Sequence, residues 1–141
     1  MDKEYEIVYI DKPEEAVWEI IGKGLQNFNV QQANQEKFQR VCFALRSTDQ
    51  KIVGGALGEI YWDWFHLDLM WIKDELRGHG YGQRLPSAIE DEARRRGVKN
   101  VFLDTFSFQA PCFYTQHGYR VFGELPGFPS GHHRFFLTKK L

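Results

Sequence analysis

A chain of 141 residues is long enough for one domain with its own core, and 43% apolar with 16% aromatic residues excludes a disordered tail. A net charge of −1, with Lys and Arg scattered, leaves no basic face of the kind nucleic acid requires. Cys42 and Cys112 stand far apart in no metal-ligand spacing, as free thiols in a reducing compartment would. The opening MDKEYEIVYI is charged and lacks a signal-peptide core, and no apolar run reaches membrane-spanning length. The expectation is a cytoplasmic chain, a single domain over 1–141, with neither nucleic acid nor membrane as partner.

In chain order, YEIVYI (5–10) alternates and is rich in β-formers, so it predicts a first strand. Pro13, Glu14 and Glu15 open a helix whose apolar positions, Ala16, Val17, Ile20, Ile21 and Leu25, follow the 3.6 period. The polar NFNVQQANQEKF (27–38) reads as a loop with a short second helix. RVCFAL and KIVGGALGEIYW form a hairpin around RSTDQ, and FHLDLMWI (65–72) is the next apolar strand.

After the glycine-rich RGHGYG, Tyr81, Leu85, Ala88, Ile89 and Ala93 form a helical stripe. That helix ends at Arg94, Arg95 and Arg96 with Gly97 as its stop, and Pro86 inside it predicts a kink. KNVFLDTF (99–106) is a strand, QAPCFYTQH a short helix, and YRVFGEL and HRFFLTKK are closing strands around PGFPSG. There is no repeat or low-complexity segment.

Gly78, Gly80 and Gly82 stand at alternate positions between an apolar strand and an amphipathic helix. Such glycines let backbone approach an anion and point the free N–H groups of a helix N-terminus at it. The nucleotide loop G-x4-G-K-[ST] is excluded by the missing Lys, and G-x-G-x-x-G by its spacing. A plain glycine-rich turn into a helix remains the alternative.

The run Arg77, Gly80, Gly82 fits the pattern [QR]-x-x-G-x-[GA], and SFQAPCFYTQHGY (107–119) fits N-x-x-A-x-x-[FL]-Y-x-x-x-G-[FY] at Ala110, Phe113, Tyr114, Gly118 and Tyr119. Ser107 stands where that second pattern has Asn. With these motifs and the matching order of elements, nearly the whole chain resembles the GNAT superfamily of acetyl-CoA-dependent N-acetyltransferases.

The resemblance implies an α/β (α+β) fold with a mixed, mostly antiparallel sheet of about six to seven strands and about four helices. The sheet would splay at the fourth and fifth predicted strands, FHLDLMWI and KNVFLDTF. It implies acetyl-CoA as acetyl donor and no metal. The pantetheine arm would bond to strand backbone at Met70, Trp71 and Ile72, and the pyrophosphate would sit on the amides of Gly78, His79, Gly80, Tyr81 and Gly82, with Arg77, Ser107 and Phe113 beside them. Tyr114 would give the proton that the departing thiolate needs, although a tyrosine there also serves as a core aromatic.

The acceptor amine, with a pKa of ~10, must lose a proton to attack. Strand alternation puts His66, Asp68 and Met70 on one face. Asp68 is the first candidate base, with His66, water, Glu59 and Asp104 as others; it would equally serve as a buried carboxylate held by backbone amides or by His66. The arginines at 94–96 read as a solvated helix end, His132 and His133 point apart and suit no metal site, and Cys112 reads as packing.

The acceptor pocket is expected from the N-terminal helices, YWDWF (61–65) and PGFPSGHH (126–133). Trp64, His66 and Phe128 would contact a small amine, with Asp63 as countercharge. The same aromatics would serve as a homodimer patch. The alternatives to small-molecule acetylation are acetylation of a protein amine and a non-catalytic acyl-CoA-binding regulatory module.

Overall fold

The structure is a computed structural model and describes residues 4–141. It divides into two compact units at the boundary between Glu36 and Lys37.

The N-terminal unit is built on α1 (Glu15–Ala33). Glu14 is its N-cap, Glu15 meets the positive end of the helix dipole, and Asn34 closes it through an N–H bond to the Val30 carbonyl at 3.1 Å. The expected strand at 5–10 does not form. Alternating β-formers supply propensity, but a strand exists only where a ladder receives it. Nor does the chain loop at 27: α1 runs on to Ala33, because Asn and Gln are tolerated in a helix interior and neither Gly nor Pro follows Gly24 before Ala33.

The second unit carries one sheet in the order β1-β2-β3-β4-β6-β5. Its strands are β1 (Gln39–Arg46), β2 (Ile52–Tyr61), β3 (Trp64–Ile72), β4 (Asn100–Phe106), β5 (Arg120–Pro126) and β6 (His133–Lys140). Every neighbouring pair is antiparallel except β3 with β4. Among the described residues there are thus six strands, three α-helices and one 3-10 turn, Asp74–Leu76, one helix fewer than expected.

Helix α2 (Tyr81–Arg95) lays Leu85, Ile89 and Ala93 on the sheet, against Val41, Ala56, Ile60, Phe65, Val101, Leu103 and Leu137. Each fully buried Val, Leu, Ile or Phe among them contributes about 1.5–3 kcal/mol. The helix ends as its sequence demands: Gly97 N–H meets the Arg94 carbonyl at 2.9 Å and Val98 N–H meets Ala93 at 3.0 Å. Pro86 sits inside the unbroken helix and is fully buried. Having no N–H, it leaves the Gly82 carbonyl without its helical donor. Helix α3 (Pro111–Gln116) starts on proline, whose missing N–H would be unpaired there in any case.

Two irregularities shape β3. It pairs with β4 only at Trp64–Asn100, Phe65–Val101 and His66–Phe102, although β3 continues to Ile72 and β4 to Phe106. The sheet therefore opens between these strands, which are the fourth and fifth apolar segments of the sequence. On the other side, Gly58 faces Leu67 while Leu57 faces Leu69, so Asp68 is the extra residue of a bulge. Phe65 and Leu67 are buried before the bulge, whereas Met70 and Ile72 pack on the core after it. This corrects the expectation that His66, Asp68 and Met70 share a face, since one inserted residue reverses the alternation. Gly58 is required here: a β-carbon would lie 2.1 Å from the His66 carbonyl oxygen and 2.6 Å from the Phe65 ring.

Candidate active site

A cleft of about 520 Å³ occupies the opening between β3 and β4. One wall is Asp68 to Ile72 of β3, and the other begins at Asp104 and Thr105 of β4. Arg77 and Gly82 close one end; Phe113 and Tyr114 of α3 close the back. Because β4 leaves β3 after His66, the later peptide groups of β3 have no strand partner on the cleft side. Backbone donors and acceptors in that position seek a ligand or water.

At the Arg77 end, Gly78 and Gly80 have φ of 79° and 88°, the left-handed region that glycine adopts without strain. Gly80 is the N-cap of α2, and its carbonyl accepts the N–H groups of Gln83 and Arg84 at 3.3 and 3.2 Å. Among the described residues the amides of 78–82 meet no acceptor. Five successive free amides at a helix N-terminus form a site for an anion. Gly82 differs from its neighbours: its φ is not positive, and a β-carbon would make only ordinary contacts, 3.8 Å to Ile72 and 3.9 Å to Phe113. The fold itself would accept alanine there. The Arg77 guanidinium stands 3.2 Å from Asp74 at the cleft mouth, whereas His79 is exposed and Tyr81 lies under the Arg84 guanidinium at 5.6 Å.

Tyr114 is 8% exposed and lines the cleft. Phe113 and Tyr119 meet its ring edge-on, at 5.3 and 5.6 Å. Burial pushes its hydroxyl up to about 12, so it is protonated at neutral pH.

Asp68 is exposed on the bulge, and among the described residues its carboxylate makes no hydrogen bond or ion pair. It is not held by His66, whose Nδ1 lies 3.2 Å from Glu59 and whose ring stacks on Phe102 at 4.7 Å. His66 and Trp64 lie outside the cleft lining. Ser107 does too: its hydroxyl accepts the His133 N–H at 3.0 Å and its own N–H bonds the His133 carbonyl at 2.8 Å, which ties β4 to β6.

Asp104, Phe108 and Gln109 line the cleft as well, although no motif in the sequence marks Phe108 or Gln109. Gln109 accepts bonds from the Thr105 hydroxyl at 3.0 Å and the Phe106 N–H at 2.7 Å, which ends β4. Asp104 holds Arg134 at 2.7 Å, and the Arg134 guanidinium lies over Phe106, Phe128 and Phe136 at 5.4, 5.0 and 5.3 Å. Phe108 stacks on Phe106 at 5.3 Å. Phe128 thus belongs to an aromatic wall that continues from the cleft through Phe108. Alternation along β4 was the available signal, because Phe102, Asp104 and Phe106 share its less buried face. The three arginines at the end of α2 engage its own carboxylates, Arg94 with Asp91 and both Arg95 and Arg96 with Glu92.

One cleft thus brings together a helix N-terminus with free amides, an open strand edge and a buried protonated phenol. The model of the acetyltransferase (GNAT) family matches residues 5–119, and the chain belongs to that family. A blasticidin-S acetyltransferase of Streptomyces morookaense is 38% identical over 92 residues, 64% of this chain and 68% of that one. The crystal structure of an acetyltransferase from Bacillus cereus superposes with TM-score 0.87 at 32% identity, covering 95% of this chain and 98% of that one. A Bacillus anthracis protein solved in complex with acetyl coenzyme A shares the fold at TM-score 0.63 and 17% identity, over 72% of this chain and 62% of that one. Among the described residues no helix is long and apolar enough to cross a membrane.

Proposed function

We propose that this acetyltransferase moves the acetyl group of acetyl-CoA to a primary amine of a small molecule by direct attack in a ternary complex. The reading rests on one cleft lined by Arg77 and Gly82, which flank the free amides of 78–81, by the open β3 edge at Met70, Trp71 and Ile72, and by the buried Tyr114. The pyrophosphate rests on the amides with Arg77 beside it, and the pantetheine arm follows the β3 edge past Phe113. A β3 amide near Met70 polarises the thioester carbonyl, a role that preorganised N–H groups fill well.

The amine enters from the Asp68 and Asp104 side. Asp68, carrying no other bond among the described residues, takes the proton that the ammonium must lose, directly or through water. The amine lone pair forms the C–N bond, the C–S bond breaks, and Tyr114 protonates the departing thiolate before solvent restores its own proton. The aromatic wall of Phe108, Phe106 and Phe128 flanks the acceptor, with Asp68 as countercharge in place of Asp63 and Asp104 engaged by Arg134. The relative named blasticidin-S acetyltransferase accords with a small-molecule acceptor.

Free thiol released from acetyl-CoA in the presence of a panel of small amines tests the reading. Acceleration by an amine, with one acetylated product per thiol, supports it; acceleration only by protein or peptide amines would overturn the small-molecule acceptor.

A further inference from the structure

Glu90 is 4% exposed in the middle of α2, on the stripe that otherwise holds Pro86, Ile89 and Ala93. A carboxylate is rarely buried so deeply unless it is paired. Its Oε1 accepts a bond from Lys139 Nζ at 2.6 Å, with Arg94 at 4.0 Å, and its Oε2 accepts the Tyr119 hydroxyl at 3.2 Å. Lys139 also lies over the Tyr119 ring, 5.4 Å from its centre. Lys139 alone would neutralise Glu90, so charge balance does not explain the second bond.

Tyr119 is what that second bond holds. It follows α3, its N–H closes that helix on the Tyr114 carbonyl at 3.1 Å, and its ring meets the Tyr114 ring at 5.6 Å and 75°. Burial first, then the Glu90 carboxylate, push the Tyr119 hydroxyl far above its ordinary value, so it remains a donor to Glu90 across the working pH range. The same helix that presents the amides of 81 and 82 at its N-terminus therefore reaches, through Glu90 and Tyr119, the tyrosine at the back of the cleft.

We propose that Glu90 and Tyr119 are positioning residues for Tyr114: the bond between them fixes the ring against which Tyr114 rests, and so fixes the Tyr114 hydroxyl in the cleft. This rests on the reading of Tyr114 as proton donor. A ring free to rock by a fraction of an ångström would misplace that donor without altering the donor-binding amides.

Thiol-release kinetics on Tyr119→Phe, Tyr114→Phe and the double variant separate positioning from plain packing. Tyr119→Phe keeps the ring and should lower kcat about five- to tenfold while KM for acetyl-CoA stays within about twofold. In the Tyr114→Phe background the same change should cost less than about twofold, because there is no donor left to position. An unchanged kcat in Tyr119→Phe, or an equal loss in both backgrounds, overturns the proposal. If Tyr114→Phe alone leaves kcat unaltered, the proton-donor reading is what has failed, and the positioning role falls with it. Glu90→Ala and Glu90→Gln probe the link from the other end, should Tyr119→Phe fail to fold. The glutamine still accepts the Tyr119 hydroxyl and should recover most of the kcat that alanine loses; equal losses overturn the proposal.

Discussion

The imidazole of His66 lies flat on the ring of Phe102, centroids 4.7 Å apart and planes 15° from parallel, at the last residue pair that joins β3 to β4. Glu59 holds the far side of that imidazole at 3.2 Å. The seam of the sheet therefore ends at a stacked pair whose imidazole Glu59 also holds, and the cleft begins two residues later, at the bulge that carries Asp68. His66 closes the seam and leaves the cleft to Asp68.

The role proposed for Asp68 is therefore separable from stability. It is exposed, and among the described residues its carboxylate has no partner to lose. Asp68→Asn should leave the thermal midpoint within about a degree, as for a surface change away from any contact. It should lower kcat/KM for the amine by about ten- to a hundredfold, the usual worth of a positioned base. An unchanged rate would take the role of base from Asp68 and leave the proton to water.

Tyr114→Phe should lower kcat by about a hundredfold and leave acetyl-CoA affinity nearly intact, because the ring and its two edge-on contacts survive. The check is steady-state thiol release together with a direct acetyl-CoA titration. Loss of binding equal to loss of rate would make Tyr114 a packing residue.

The phosphate loop gives a graded pair of variants. Gly82→Ala meets only ordinary contacts inside the protein, and the pattern [QR]-x-x-G-x-[GA] accepts alanine there, so the fold should persist and acetyl-CoA affinity should stay within about threefold. Gly80→Val adds strain at φ 88° and should abolish acetyl-CoA binding. Calorimetry and a thermal melt separate the two effects. Undiminished binding in Gly80→Val would remove the anion seat.

Burial also sets a pH dependence of stability. Tyr114 is raised to about 12 in the folded chain, against the ordinary tyrosine value of about 10 in the unfolded one. The folded state therefore retains a proton that the unfolded state releases, and stability is fully present below about pH 10 and lost as pH climbs towards about 12. Tyr119 shifts in the same direction. Thermal melts between about pH 9 and pH 12 should show the midpoint falling, and Tyr114→Phe should make that fall shallower without abolishing it.

Much of this was legible in the sequence. The glycine loop, the stripe Leu85, Ile89, Ala93 and the stop at Gly97 are local signals, and each reappears where its pattern stands. The split between β3 and β4 came with the family resemblance, and the register of the two strands bears it out. The failures share a cause. YEIVYI has the composition of a strand but no ladder, and the common face of His66, Asp68 and Met70 assumed an unbroken alternation. A bulge is decided by how two strands meet, which neither strand's own sequence records. Glu90 could have been found, since its helical phase places it on the buried stripe. Its partners Tyr119 and Lys139 lie 29 and 49 residues away and could not.

The cleft is proposed to join an acetyl donor to an amine. Thiol release from acetyl-CoA, followed across a panel of small primary amines with the product weighed by mass spectrometry, tests it most directly. At least one amine should accelerate release, gain one acetyl group per thiol freed, and lose most of that acceleration in Tyr114→Phe. Acetyl-CoA bound tightly, with thiol release that no amine of any kind accelerates, would contradict it.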